Sequence, residues 1–292
     1  MKGYRIIADS GSTKTDWVIT HHNQSIVGKV HTMGFNPYFQ TTEFIRSEVQ
    51  KGFETAGFDR ESVSEIHFYG AGCSSMEKSL IVEKALAGAF PNAEIHVDHD
   101  LIAAARATLG THDGIACILG TGANSCVWQG GKVVHNIPSH GYIFGDEGSG
   151  SYLGIRLVKL YVENRLDREL TGQFEDMFRL SREEIINKTY REPNPNVFLA
   201  SFASFFSGRI QHPILEQIMR TGFEDFFKIR VALYPNFQSY PLGFVGSIAF
   251  YYRNILEEVA DQYGMKIHKF TKCPIDDLVE FHIKNPTAHL ID

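Results

Sequence analysis

The residues best suited to chemistry open the chain, in the stretch Asp9-Ser10-Gly11-Ser12-Thr13-Lys14-Thr15-Asp16, set between the apolar runs 4–8 and 17–20. Small residues let backbone N–H groups reach an anion without a Cβ in the way. The Ser12 and Thr13 hydroxyls and Lys14 add donors, and Asp9 at a strand end can hold a hydrated magnesium ion. Ordinary hairpins share this composition. The pattern returns, however: Gly120-Thr121-Gly122-Ala123-Asn124-Ser125 joins the apolar runs 114–119 and 126–128. Two such hairpins facing one another would make a clamp for phosphate.

Further polar candidates sit at element ends. Asp100 follows the strand-like run 94–97 and precedes the alanine-rich run 101–109. It is placed to cap that helix and also to act as a base toward a substrate hydroxyl, because α/β proteins present such groups at the C-terminal ends of strands. Gly70-Ala71-Gly72-Cys73-Ser74-Ser75 reads as a strand-to-helix turn suited to an anionic or hydroxyl-rich ligand, without the third glycine of a dinucleotide fingerprint. Asn36, held extended by Pro37, can present its amide to a ligand. The segment 145–151 alternates glycine with acidic residues before a helix, which suggests backbone approaching a ligand with Asp146 or Glu147 near a metal or hydroxyl, or else a capping segment. Strand 241–245, Gly246-Ser247 and helix 248–262 form a unit that can lay its backbone beside an adenosine moiety.

Composition narrows the classes. The chain has 292 residues, 43% hydrophobic and 21% charged, enough for two domains with real cores. A net charge of −6 argues against a general nucleic-acid or anionic-membrane binder. No apolar run approaches the ~18 residues of a membrane span, and the start enters a strand directly instead of a signal core, so a cytoplasmic protein is expected. Cys73, Cys117, Cys126 and Cys273 are far apart and form no C-x-x-C pair, so buried reduced thiols are expected. Neither His21-His22 nor His96 with His99 has the spacing of a zinc motif.

Positioning these residues requires a repeated scaffold. A third strand is expected over 25–31 after the turn His22-Asn23-Gln24, then a loop over 33–38, a helix capped by Thr41 and running to 56, strand 65–69, helix 76–90, strand 94–97 and helix 101–109. A second set of three strands, 115–119, 126–129 and 132–137, repeats the first. Beyond it the pattern predicts a long helix over 152–170, helices over 174–234 broken at 192–196 and 207–208, strand 241–245, helix 248–262, strand 265–271 and helix 275–283. The aromatic stripe Phe198, Phe202, Phe205 and Phe206 reads as helix core. The expected domains are 1–112, with helix 275–292 as a candidate addition, and 113–274, carrying a helical insertion over about 152–235.

With these motifs in place the chain resembles the actin/hexokinase superfamily. Within it the chain is similar to the N-acetylglucosamine kinase-like branch, which also holds the ATPases that activate benzoyl-CoA reductase and 2-hydroxyacyl-CoA dehydratases. The resemblance implies an α/β fold of duplicated ribonuclease H-like (actin-like ATPase) domains, two lobes around a nucleotide and substrate cleft. Residues 9–16 resemble the first phosphate motif, 119–125 the second, 243–249 the adenosine motif, and 141–151 the Gly-His-x-x-Gly-Asp-Glu-Gly-Ser region of amino-sugar kinases. By that resemblance ATP meets Gly11, Ser12, Thr13, Lys14, Gly120, Thr121, Gly246 and Ser247. Asp9 holds Mg2+ through water, and Asp100 is the base for the 6-hydroxyl of N-acetylglucosamine or a related N-acetylhexosamine. Asn36, Ser74, Thr121, Gly122, Asn124 and Asp146 line the sugar pocket. Ser139-His140-Gly141 stands where hexosamine kinases carry Gly-Trp-Gly, so His140 is a candidate contact to a ring substituent. Alternatives are an activating ATPase serving an iron–sulfur cluster and a non-catalytic nucleotide and sugar sensor. The implied partner is a small-molecule sugar, with no nucleic acid or membrane, and a homodimer is the oligomeric form to test.

Overall fold

The computed structural model describes residues 3–22 and 25–285. Among them, in chain order, are β1 (Tyr4–Ser10), β2 (Lys14–His21), β3 (Ile26–Met33), α1 (Thr42–Thr55), β4 (Val63–Gly70), α2 (Met76–Ala89), β5 (Glu94–His99) and α3 (Asp100–Thr108). The chain continues through β6 (Gly114–Leu119), β7 (Ala123–Gln129), β8 (Lys132–Asn136), α4 (Gly141–Phe144), α5 (Gly150–Val162), α6 (Arg168–Phe178), α7 (Arg182–Arg191), α8 (Pro195–Ser201) and α9 (Pro213–Ile229). It closes with β9 (Leu242–Val245), α10 (Ser247–Tyr251), α11 (Arg253–Gln262), β10 (Ile267–Thr271) and α12 (Ile275–Lys284).

Two compact units result. Among the described residues the first comprises 3–22, 25–112, Trp128–Val133 and 273–285, and the second Asp113–Val127 and Val134–Lys272. The first sheet runs β3-β2-β1-β4-β5 and the second β8-β7-β6-β9-β10, the same order with each leading strand at the centre. This is the duplicated ribonuclease H-like α/β architecture.

Alternation along β1 builds the first unit. Ile6 and Ala8 face one apolar cluster with Trp17, Phe53 and Phe68, into which α1 sends Ile45 and Val49 and α2 sends Val82 and Leu86. Ile7 points the other way and meets Ala103 and Ala107 of α3 with Leu278 and Val279 of α12. In the second unit Ile115, Cys117 and Leu119 of β6 join a core with Phe174, Phe202, Phe205, Phe206 and Phe226. The stripe Phe198, Phe202, Phe205 and Phe206 thus belongs to the helical core, Phe198 at its partly buried edge.

Several expected boundaries shift. The strands of the first hairpin extend inward, so only residues 11–13 form the turn, and Asp9, Lys14 and Asp16 lie on strands. The helix expected over 152–170 ends at Val162, because Asn164 adopts φ +58° and Asp167 caps a new helix by accepting the Leu170 N–H. Arg179 in the left-handed region and the Ser181–Glu184 capping box add a break that periodicity alone did not reveal. The helix over 248–262 divides at Tyr252. Asn23, Gln24 and residues 286–292, part of the expected turn and C-terminal helix, lie outside the described residues.

Candidate active site

In the first unit, β1, β4 and β5 run parallel, and β1 and β5 carry acidic residues, Asp9 and Asp98, to their C-terminal ends on either side of Tyr69 of β4. Register places Asp16 opposite Asp9, Asp9 beside Tyr69, and Tyr69 beside Asp98, with Asp100 two residues further along. Burial pushes the Asp9 carboxyl up to about 7, aided by the charges of Asp100 and Asp16 and opposed by Lys14. Burial also raises Asp16, but bonds from Lys14, Cys273 and His31 more than reverse this and hold it below the usual carboxylate range. Lys14 Nζ lies 2.5 Å and His31 Nδ1 2.7 Å from the Asp16 carboxylate, and the Cys273 thiol donates to it at 3.2 Å.

Asp100 is the first residue of α3, not its cap. His99 occupies the cap, its Nδ1 accepting the Leu101 N–H at 3.3 Å, which corrects the capping assignment to Asp100. Asp100 Oδ1 is buried and accepts no hydrogen bond. His99 Nδ1 lies 3.1 Å away, but that nitrogen already serves as the Leu101 acceptor. Burial raises the Asp100 pKa, opposed by His99 and the backbone N–H groups at the helix start. A carboxylate with a free oxygen and raised basicity is equipped to accept a proton.

The first turn is built so that its backbone is fixed and its tip exposed. Gly11 N–H donates to Lys14 O at 3.0 Å, while Ser12, Thr13 and Lys14 are exposed. Ser10 and Thr15, both buried, bind each other at 2.8 Å and tie the turn to the following loop through Phe35 N–H and Met33 O. Gly34 lies so close that a Cβ there would sit 2.2 Å from Gly11 O, a contact nothing in its sequence neighbourhood announces. Asn36 packs over Gly72, and Ser74 Oγ meets Tyr38 OH at 3.2 Å, so the structure gathers Asn36 and Ser74 and adds Tyr38.

The electrostatically coupled carboxylates Asp9, Asp16 and Asp100, beside the Lys14 ammonium, suit a magnesium ion, and the raised Asp9 pKa marks a group that a bound cation would hold ionised. A different cluster, Glu65, His67 and His96, brings potential ligand atoms within 4.8 Å of one another. There Arg5 Nε and His67 Nε2 already engage the two Glu65 oxygens at 2.7 and 2.8 Å, which makes it a buried ion-pair network.

In the second unit the candidate residues converge on two adjoining turns. A Cβ on Gly246, whose φ is +119°, would meet Leu119 O at 2.2 Å, so the Gly246-Ser247 turn lies directly against the Gly120 turn. The first N–H groups of α5 anchor that turn, Gly150 to Gly120 O at 2.8 Å and Ser151 to Thr121 O at 3.0 Å. Ser149 caps the helix, accepting the Tyr152 N–H. Asp146 Oδ1 accepts from Ala123 N–H and from Ser139 Oγ, and its Oδ2 would lie 3.0 Å from a Cβ on Gly122. Asn124 Oδ1 is engaged by Ser125 N–H and by Asn136. His140 is exposed beside this group. Arg230, fully buried against Glu147, escaped the sequence reading because it lies about 80 residues away in a helical stretch that motif patterns do not single out.

The fold and turns define a nucleotide-handling protein of the actin/hexokinase superfamily. The chain belongs to the BadF/BadG/BcrA/BcrD ATPase family, which matches residues 8–220. A curated relative from Clostridium acetobutylicum, named N-acetylmuramic acid/N-acetylglucosamine kinase, is 29% identical over 199 residues. The matched stretch spans 64% of this chain and 64% of that relative. A solved structure from Porphyromonas gingivalis, described as a candidate N-acetylglucosamine kinase, is 36% identical with a TM-score of 0.91, covering 97% of this chain and 99% of the other. A Chromobacterium violaceum structure described in the same terms shares the fold at 17% identity, TM-score 0.71, with 96% and 98% covered. Among the described residues no helix is long and apolar enough to cross a membrane.

Proposed function

We propose that this chain is an ATP-dependent kinase that phosphorylates an amino sugar, N-acetylglucosamine or a related N-acetylhexosamine, at its 6-hydroxyl. The observation that carries the reading is Asp100: a half-buried carboxylate of raised pKa, its Oδ1 buried without a hydrogen-bond donor, just past the C-terminal end of a parallel strand. Family membership and the names of the relatives support it.

Asp100 accepts the proton of the sugar hydroxyl as its oxygen bonds to the γ-phosphorus, and the bond from that phosphorus to the bridging oxygen breaks with its electron pair leaving on ADP. Backbone N–H groups of residues 11–13, the Thr13 hydroxyl and Lys14 orient phosphate oxygens, as do Gly120 and Thr121, while Gly246 and Ser247 lie along the adenosine. Asp9 would hold a magnesium ion, which when bound would supply charge neutralisation on the phosphates. Asn36 and Ser74, with Tyr38, and Asp146, Gly122, Asn124 and His140 bind sugar hydroxyls and substituents. Burial of Cys73, Cys117 and Cys126 supports this reading over an iron–sulfur activator, since burial raises the Cys117 thiol far from the thiolate form.

The test is coupled ADP release against N-acetylglucosamine, N-acetylmuramic acid, glucosamine and glucose. Stimulation by an N-acetylated sugar is expected. No stimulation by any of the four would overturn the kinase reading in favour of the ATPase or sensor.

A further inference from the structure

The segment from Ile137 to Glu147 carries Ser139, His140 and Asp146, yet it holds itself poorly. His140, Gly141, Ile143 and Phe144 are exposed, α4 is only four residues long, and its cap makes no side-chain hydrogen bond. Asp146 sits at φ +57°, a left-handed conformation uncommon outside glycine, which aspartate tolerates better than most and which its surroundings here hold in place. The imposing group comes from outside. Arg230, 1% exposed at the end of α9, donates through Nη1 to Pro138 O at 2.7 Å and to Ile137 O at 3.1 Å. Its Nε and Nη2 both donate to Glu147 Oε2, at 3.2 and 3.1 Å. One planar guanidinium therefore ties down both ends of the segment. Gly145 lies over it so closely that a Cβ would meet Nη2 at 3.0 Å. Asp146, pinned between these anchors, is left to receive Ser139 and Ala123 through Oδ1 while Oδ2 stays over Gly122.

We propose that Arg230 is the positioning residue of the acceptor sugar's subsite, acting through the geometry of Ser139 and Asp146 and not by touching substrate. The assignment rests on the kinase reading above. Lysine cannot replace the fork: it has one nitrogen where the site uses three in a plane. Two variants separate the role from simple unfolding. Arg230→Lys keeps the charge opposite Glu147, and the paired replacement Arg230→Met with Glu147→Leu removes the clamp without stranding a buried charge.

Both variants are assayed for the KM of N-acetylglucosamine and of ATP, and for hydrogen exchange at the Gly145 and Ser149 amides, which bond to Gly141 O and Asp146 O. The acceptor KM is expected to rise about tenfold or more, with ATP KM changed less than about twofold and faster exchange confined to this segment. An unchanged acceptor KM in a folded variant overturns the proposal. So does a loss shared equally by both substrates with faster exchange throughout the unit, which marks a merely structural residue. If the unaltered protein phosphorylates no amino sugar, the kinase reading falls separately and the exchange data decide the clamp: faster exchange confined to residues 138–149 supports it, and exchange as in the unaltered protein overturns it.

Discussion

The two units share a sheet order but have put opposite chemistry at their turns. The first gathers carboxylates past the ends of its parallel strands, Asp9 on β1, Asp98 on β5 and Asp100 at the start of α3, with Asp16 beside Asp9, and leaves one Asp100 oxygen without a donor. The second surrounds its turns with glycine and backbone: Gly120 and Thr121 carbonyls take the first N–H groups of α5, and Gly246 presses on Leu119. The first arrangement holds Asp9 and Asp100 at raised pKa values, whereas the second has its turn backbone already hydrogen-bonded and closely packed. The same sheet order therefore carries carboxylates of raised pKa in the first unit and close backbone packing in the second.

The largest effect that tests this contrast is on Asp100. Asp100→Asn should lower kcat by about 10²- to 10⁴-fold while ATP affinity, measured by calorimetry, stays near that of the unaltered protein. Activity near normal would remove the base from the first unit. Next in size is Gly246→Ala, where a Cβ meets carbonyl oxygen and carbon at 2.2 and 2.6 Å in a left-handed backbone. A loss of about 3 kcal/mol in denaturant unfolding is expected, or failure to fold. A tolerated alanine would show that the two turns of the second unit are less tightly fitted than described.

A comparable effect of opposite sign belongs to Asp9. Its folded pKa of about 7 lies above the unfolded value of 3.8, so the folded state binds more protons between these values and stability falls as pH rises through that window. Asp9→Asn should therefore raise metal-free stability at pH 7.5 by a few kcal/mol and flatten the pH profile, while abolishing activity. The smallest effect lies below the active row, at His282. Burial, with the charges of His67, Arg106 and Arg5, lowers its pKa to about 2, while its Nε2 meets Tyr69 OH at 2.7 Å. Because the unfolded state takes up the proton from 6.5 downward, stability is present above about 6.5 and is lost as pH falls, by about 2 kcal/mol at pH 5. His282→Asn should remove that slope in urea titrations. Glu65 adds a second loss at lower pH. Burial raises it, but His67 and Arg5 reverse this to about 2, so its contribution disappears between 4.5 and 2.

Much of this scaffold could be read from pattern. The apolar runs over 4–8 and 114–119, the turn residues between strands, and Thr41 before its helix are local signals, and local sterics and capping bonds enforce them. The helix break at Arg179 was not legible, because arginine has no preference for the left-handed region and packing placed it there, whereas Asn164 is a residue type that tolerates that region and its break went unread within an otherwise helical pattern. Asp100 and His99 illustrate a finer failure: either residue could cap α3, and only the backbone path assigned the cap to His99 and freed the carboxylate.

By itself, the sequence determined that two similar strand sets would each end in a small-residue turn, and that Asp9, Asp100, Gly120 and Gly246 would stand at those ends, since periodicity and turn chemistry act over a few residues. Only the tertiary structure decided what those positions experience. The raised pKa values of Asp9 and Asp100 need neighbours from separate strands, the press of Gly34 on Gly11 needs a loop folded back, and the hold of Arg230 on residues 137–147 joins groups more than 80 positions apart. Burial, charge proximity and close contact are properties of space, and no short stretch of chain encodes them.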